Sequence, residues 1–93
     1  MMQKESFQTT LFGRELRLFR IRKHMTQKSL GERIGASANT IHLWETRVTK
    51  PNVAYLIRLA EVMDKPLEEL IEKSLTLWDE DSYKESSLFG GKK

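Results

Sequence analysis

The sequence predicts an all-α fold of five short helices, and three observations carry that expectation. Leu30 and Ile34, then Ile41 and Trp44, stand four and three residues apart, intervals that put side chains on one helical face. Gly35, Ala36 and Ser37 separate the two pairs; glycine ends a helix in the left-handed conformation at low cost, and serine is a good N-cap for the next one. Downstream, Pro51-Asn52 and Asp64-Lys65-Pro66 punctuate two further apolar segments of helical period. At 93 residues and 39% hydrophobic content, the chain can hold one small domain.

The first helix is expected over residues 11–23, with Phe12, Leu16, Phe19 and Ile21 turned inward. The second helix is expected to begin at Thr26 or Gln27, with Thr26 as its N-cap. Gly31 would otherwise weaken that helix, and its missing side chain leaves room where two steeply crossing helices approach. The third helix is expected over residues 38–45. Ile41, Trp44 and Thr40 face its interior side, while Ala38, Asn39, His42 and Leu43 form the opposite stripe. The fourth, over residues 53–63, offers Val53, Leu56, Ile57, Leu59, Ala60 and Met63 to the core. The fifth runs from Leu67 to about Lys73, after a proline tolerated at a helix start, and Leu67, Leu70 and Ile71 close the core.

These residues carry a resemblance. Gly13, Leu16, Phe19 and Arg20 on the first helix are followed by Thr26-Gln27, Leu30, Gly31, Ile34 and Gly35. Ile41, Trp44-Glu45, Pro51, Leu56, Leu59-Ala60, Leu67 and Leu70 complete an ordered set. Over residues 12–71 the chain resembles the phage-repressor type helix-turn-helix domain, the XRE-like or Cro and lambda-repressor family. The resemblance implies a compact five-helix repressor-type DNA-binding domain with the helix-turn-helix at helices 2 and 3. It also implies a partly buried ion pair between Arg20 and Glu45, tying the first helix to the third.

Within that frame the stripe on the third helix holds the base-reading candidates, Ala38, Asn39, His42 and Leu43. Asn39 can pair bidentately with adenine N6 and N7 and lies near the helix N-terminus, where family members place base contacts. Ala38 can accommodate a thymine methyl and is equally a neutral helix former. Leu43 either touches thymine methyls or is a scattered surface leucine. His42 can donate to a base or phosphate, or simply be exposed. Phosphate contacts are expected from Gln27, whose family counterpart holds a phosphate and braces a base-reading side chain, and from Ser37, Thr46, Arg47 and Lys50. Arg47 departs from the family, which usually has glycine there. Either Arg47 takes a strained left-handed conformation, or the loop follows another path and projects the guanidinium toward DNA.

Charge agrees with this division. Residues 1–50 hold ten Lys/Arg against four acids, net +6, and the remainder is −3, so positive potential gathers on the half containing the motif. Without cysteine, and with only His24 and His42 as histidines, neither disulfide nor metal site is expected, and no cofactor. The absence of a nucleophile, base and orienter set or a phosphate-binding glycine loop argues against an enzyme. No apolar run approaches membrane-spanning length and the N-terminus lacks a signal-peptide centre, so a cytoplasmic protein is expected.

The expected partners are double-stranded DNA and a second copy of the chain, since many family dimers meet through the fourth and fifth helices. The domain is expected over residues 11–73, after an N-terminal arm at 1–10. Residues 74–93 read as an acidic, aromatic tail, partly disordered or in contact with a dimer mate or another protein, its first part around Leu77 and Trp78. The functional expectation is a sequence-specific transcriptional regulator, a repressor binding its operator as a dimer. The alternative is an antitoxin or adaptor on the same fold, binding a partner protein through the tail.

Overall fold

Seven elements follow one another along residues 8–79, the residues described by this computed structural model. They are β1 (Gln8–Thr10), α1 (Leu11–Arg22), α2 (Gln27–Ile34), α3 (Ala38–Thr46), α4 (Val53–Met63), α5 (Leu67–Ser74) and β2 (Leu77–Asp79). All five expected helices are present, with ends within a residue of those expected. The two strands are an addition to the helical expectation. They pair antiparallel with Thr9 opposite Trp78, joining the end of the expected arm to the beginning of the expected tail. Residues 1–7 of the arm and 80–93 of the tail, with Tyr83, Leu88, Phe89 and the terminal Gly90-Gly91-Lys92-Lys93, lie outside the described residues.

Local chemistry sets most helix ends. Thr10, Thr26, Ser37 and Asn52 are extended N-caps whose side chains accept from the backbone N–H three residues on. Thr26 and Ser29 complete a reciprocal capping box at the start of α2. Gly35 ends α2 at φ 81°, the left-handed conformation expected of it. A Cβ on Gly31 would lie 2.3 Å from the Ala36 carbonyl oxygen. The close approach there is therefore to the backbone of the turn itself.

Phe12, Leu16, Leu30, Ile34, Ile41, Trp44, Leu56, Leu59, Ala60, Met63 and Leu70 form one buried cluster. Phe19, Leu67 and Ile71 pack against it, partly buried. Trp44 meets Phe12 and Tyr55 edge-on, with ring centroids 6.4 and 5.3 Å apart, so α1 and α4 are joined through α3. Three residues expected in the core are outside it. Ile21 is 51% exposed because it lies about 200° around α1 from Phe19. Ile57, 45% exposed, is turned about 100° from Leu56. Val53 keeps the period, but it is the first residue of α4 and stands 57% exposed.

Lys73 on α5 bridges Glu15 of α1 at 2.7 Å and Glu69 at 2.6 Å. The hydrogen bond from Lys73 lowers the Glu69 pKa, and those to Glu15 and Glu69 raise the Lys73 pKa. The Glu69 contribution is present above the ordinary carboxylate range and fades as pH falls through its lowered pKa; that of Lys73 fades only as pH rises through its raised one. The cluster is partly solvated, so Lys73→Ala is expected to cost only about 0.5–1 kcal/mol in urea unfolding near neutral pH, less at high salt. No described helix is long and apolar enough to cross a membrane.

Candidate nucleic-acid interface

The α2–turn–α3 unit is held from below by a charged clamp. The Arg20 guanidinium donates from Nε to Glu45 Oε2 at 2.7 Å and from Nη2 to Glu45 Oε1 at 2.9 Å, the two-pronged geometry that fits a carboxylate. Its Nη1 donates to the Met25 carbonyl at 2.9 Å, fixing the chain just before α2. Gln27 Nε2 donates to Glu45 Oε1 at 3.1 Å. Glu45 at the end of α3 thus gathers α1 and the start of α2 onto one carboxylate whose side chain is 1% exposed. Its hydrogen bonds raise the Arg20 pKa against the opposing effect of burial. The ion pair implied by the resemblance is present, and its partner Gln27 turns part of its amide inward; the –NH2 group carries a second N–H for a phosphate.

With Ile41 and Trp44 buried, α3 presents its other side to solvent. Asn39 and His42 are exposed and Ala38 and Leu43 half-buried, all four on one face and flanked by the basic loop that follows. Thr40 is only half-buried, its hydroxyl 2.9 Å from that of Ser37, the α3 N-cap. The expected base-reading side chains therefore share a surface projecting from the domain.

Arg47 resolves the alternative left by the sequence. Its φ of −132° and ψ of 166° are extended, so Arg47 does not take the left-handed conformation and no strain of that kind is stored. Threonine hydroxyls take over the capping that glycine geometry would have provided. The Arg47 N–H donates to the Leu43 carbonyl at 2.9 Å, where Thr49 Oγ1 also donates at 3.1 Å. Thr9 Oγ1, reaching in from β1, donates to the carbonyls of Trp44 at 3.3 Å and Arg47 at 3.0 Å. The Arg47 and Lys50 side chains are exposed beside this helix end. Thr46 donates its hydroxyl to the His42 carbonyl at 2.8 Å, so it can give that proton to a phosphate only by breaking this bond.

Several structural contributors were not visible in the sequence. Arg58 of α4 donates to the Ile34 carbonyl at 2.9 Å and Tyr55 to that of Gly35 at 3.4 Å, closing the turn from behind. The signal available was general: carbonyls ending a helix need donors from somewhere. Thr9 falls within residues 1–10, the segment expected to be an N-terminal arm. Among the described residues, no group of three or more His, Cys, Asp and Glu side chains is placed to hold a metal ion.

Comparison with known proteins gives this geometry a context. A family model described as helix-turn-helix matches residues 16–70. Among solved structures, the chain is similar to the P22 c2 repressor protein, crystallised with a synthetic operator, at 31% identity over 67% of this chain and 94% of that one, with a TM-score of 0.60. It is also similar to the restriction-modification controller protein C.AhdI from Aeromonas hydrophila, at 24% identity over 66% of this chain and 92% of that one, TM-score 0.57. SinR, a master regulator for biofilm formation solved in complex with DNA, is 21% identical over 64% of this chain and 97% of that one, TM-score 0.56. At these lower identities the likeness concerns the fold alone. No curated protein sequence matches the chain.

Proposed function

The chain belongs to the helix-turn-helix family of DNA-binding transcription regulators, and from that premise we propose that it is a cytoplasmic repressor that binds its operator as a homodimer. One observation carries the reading: α3 offers Asn39, His42, Ala38 and Leu43 on a single outward face while the Arg20–Glu45–Gln27 clamp fixes the angle of that face. A rigid helix with exposed side chains near its N-terminus suits entry into a major groove. Asn39 reads adenine, Leu43 and Ala38 meet thymine methyls, and His42 donates to a base or a phosphate. Gln27, Ser37, Arg47 and Lys50 hold the backbone and set register without reading sequence, Thr46 joining them once its internal bond opens. Two copies would place two recognition helices on half-sites about one helical turn apart, and occupancy of the operator would exclude polymerase.

The experiment is a comparison of Asn39→Ala with the native chain on a duplex the chain itself enriches and on random duplex. A loss of about 1–3 kcal/mol on the enriched site, with little change on random DNA, is the expected result. Equal losses on both would remove Asn39 from base reading.

A further inference from the structure

Thr9 lies outside the helix-turn-helix, yet its side chain ends at the edge of the DNA-facing surface. It is 3% exposed, and its single hydroxyl serves the carbonyls of Trp44 and Arg47 at once. Two further contacts hold it there. β1 is paired with β2, Thr9 facing Trp78, and the Leu11 N–H donates to the Thr76 carbonyl at 2.8 Å where the ribbon runs into α1. Below it, Gly13 leaves so little room that a Cβ would stand 2.6 Å from Thr9 Oγ1 and 2.1 Å from the Trp44 oxygen.

The peptide groups on both sides of the Arg47 Cα are therefore held: its N–H by the Leu43 carbonyl, and its C=O by the Thr49 N–H from within the loop and by Thr9 Oγ1 from β1, each at 3.0 Å. Fixing both fixes the direction in which the Arg47 side chain leaves the backbone, with only its own rotamers still to be ordered on binding. The Arg47 carbonyl already accepts from the Thr49 N–H two residues on, so the Thr9 hydroxyl is not needed to satisfy it. The second donor, which comes from β1, ties the loop to the rest of the domain and so does more for direction than for satisfaction.

We propose that Thr9 is a positioning residue for DNA binding, orienting Arg47 toward a backbone phosphate through its bond to the Arg47 carbonyl. The proposal rests on the reading that α3 faces DNA. By this route the terminal ribbon contributes to affinity without touching the nucleic acid. An oriented guanidinium gives a charge-assisted, two-pronged phosphate contact that a wandering one does not.

The test uses the full chain and an enriched duplex, with titrations at several salt concentrations well below the melting temperature of each variant. Thr9→Val removes the hydroxyl, Thr9→Ser keeps it, and Arg47→Ala removes the side chain acted upon. Thr9→Val is expected to weaken binding about two- to tenfold, the range for leaving one long side chain unordered. It is expected to reduce the log–log salt slope by up to about one phosphate contact. Thr9→Ser should restore both, and in an Arg47→Ala background Thr9→Val should cause no further loss. A change confined to stability would alter melting but neither the slope nor the dependence on Arg47. Thr9→Ala, which adds no bulk, replaces Thr9→Val in the same comparison if the latter does not fold. Native binding by the hydroxyl-free variant, or an equal loss with and without Arg47, overturns the proposal while leaving DNA binding intact. Failure of the native chain to bind any duplex overturns both.

Discussion

Glu45→Ala is expected to lower the stability of the domain by about 3–5 kcal/mol, the cost of removing one member of a buried ion pair and abandoning the other. Its carboxylate accepts from Arg20 twice and from Gln27 once, and the Arg20 side chain, 14% exposed, has little water to turn to. Urea unfolding followed by circular dichroism reads the effect directly. Glu45→Gln should lose less, because the amide keeps the shape and one acceptor oxygen. An apolar replacement of both partners, Arg20→Met with Glu45→Leu, should recover part of the loss, since no orphan charge is left. An unchanged midpoint in Glu45→Ala would show that the clamp does not hold α1, α2 and α3 together.

The second large effect is expected at Gly13, in the first turn of α1. A Cβ there would lie 2.1 Å from the Trp44 carbonyl oxygen and 2.6 Å from Thr9 Oγ1. The first of these is backbone, so it cannot swing aside as a side chain could. Gly13→Ala is expected to cost about 3 kcal/mol, the upper range for overpacking, despite the better helix propensity of alanine. Relief would require the α1 N-terminus and the α3 C-terminus to separate, which would also disturb the Arg47 loop. The variant should therefore both melt at lower temperature and bind DNA more weakly where it is still folded. A variant as stable as the native chain would mean that α1 and α3 do not approach as described.

The parts of the fold that were legible in the sequence are those written in local chemistry. Thr26, Gly35 and Ser37 punctuate α2 and α3 through their own backbone geometry, and Ile41 and Trp44 are set one turn apart by the helical period. The Arg20–Glu45 pair, 25 residues apart, was reached only through the family resemblance, because nothing local joins two such charges. The ribbon was not legible: strands of three residues are too short to show alternation, and β1 and β2 find each other across the whole domain. Thr9 and Arg58 were missed for the same reason, since each serves a carbonyl more than twenty residues away. The apolar pattern puts Val53 and Ile57 on the core face, but the width of the buried stripe on α4 is decided by what packs against it. Among the candidate DNA-contacting residues, exposure of Asn39 and His42 follows directly from burial of Ile41 and Trp44 on the same short helix.

The claim that matters most is that this chain recognises DNA sequence through α3. Selection of bound duplexes from a random pool, repeated at two salt concentrations, tests it most directly. The expected result is enrichment of one sequence with two related half-sites about a helical turn apart, the same at both salts, with total binding falling steeply at the higher one. Recovery of unselected sequences at both salts would contradict it.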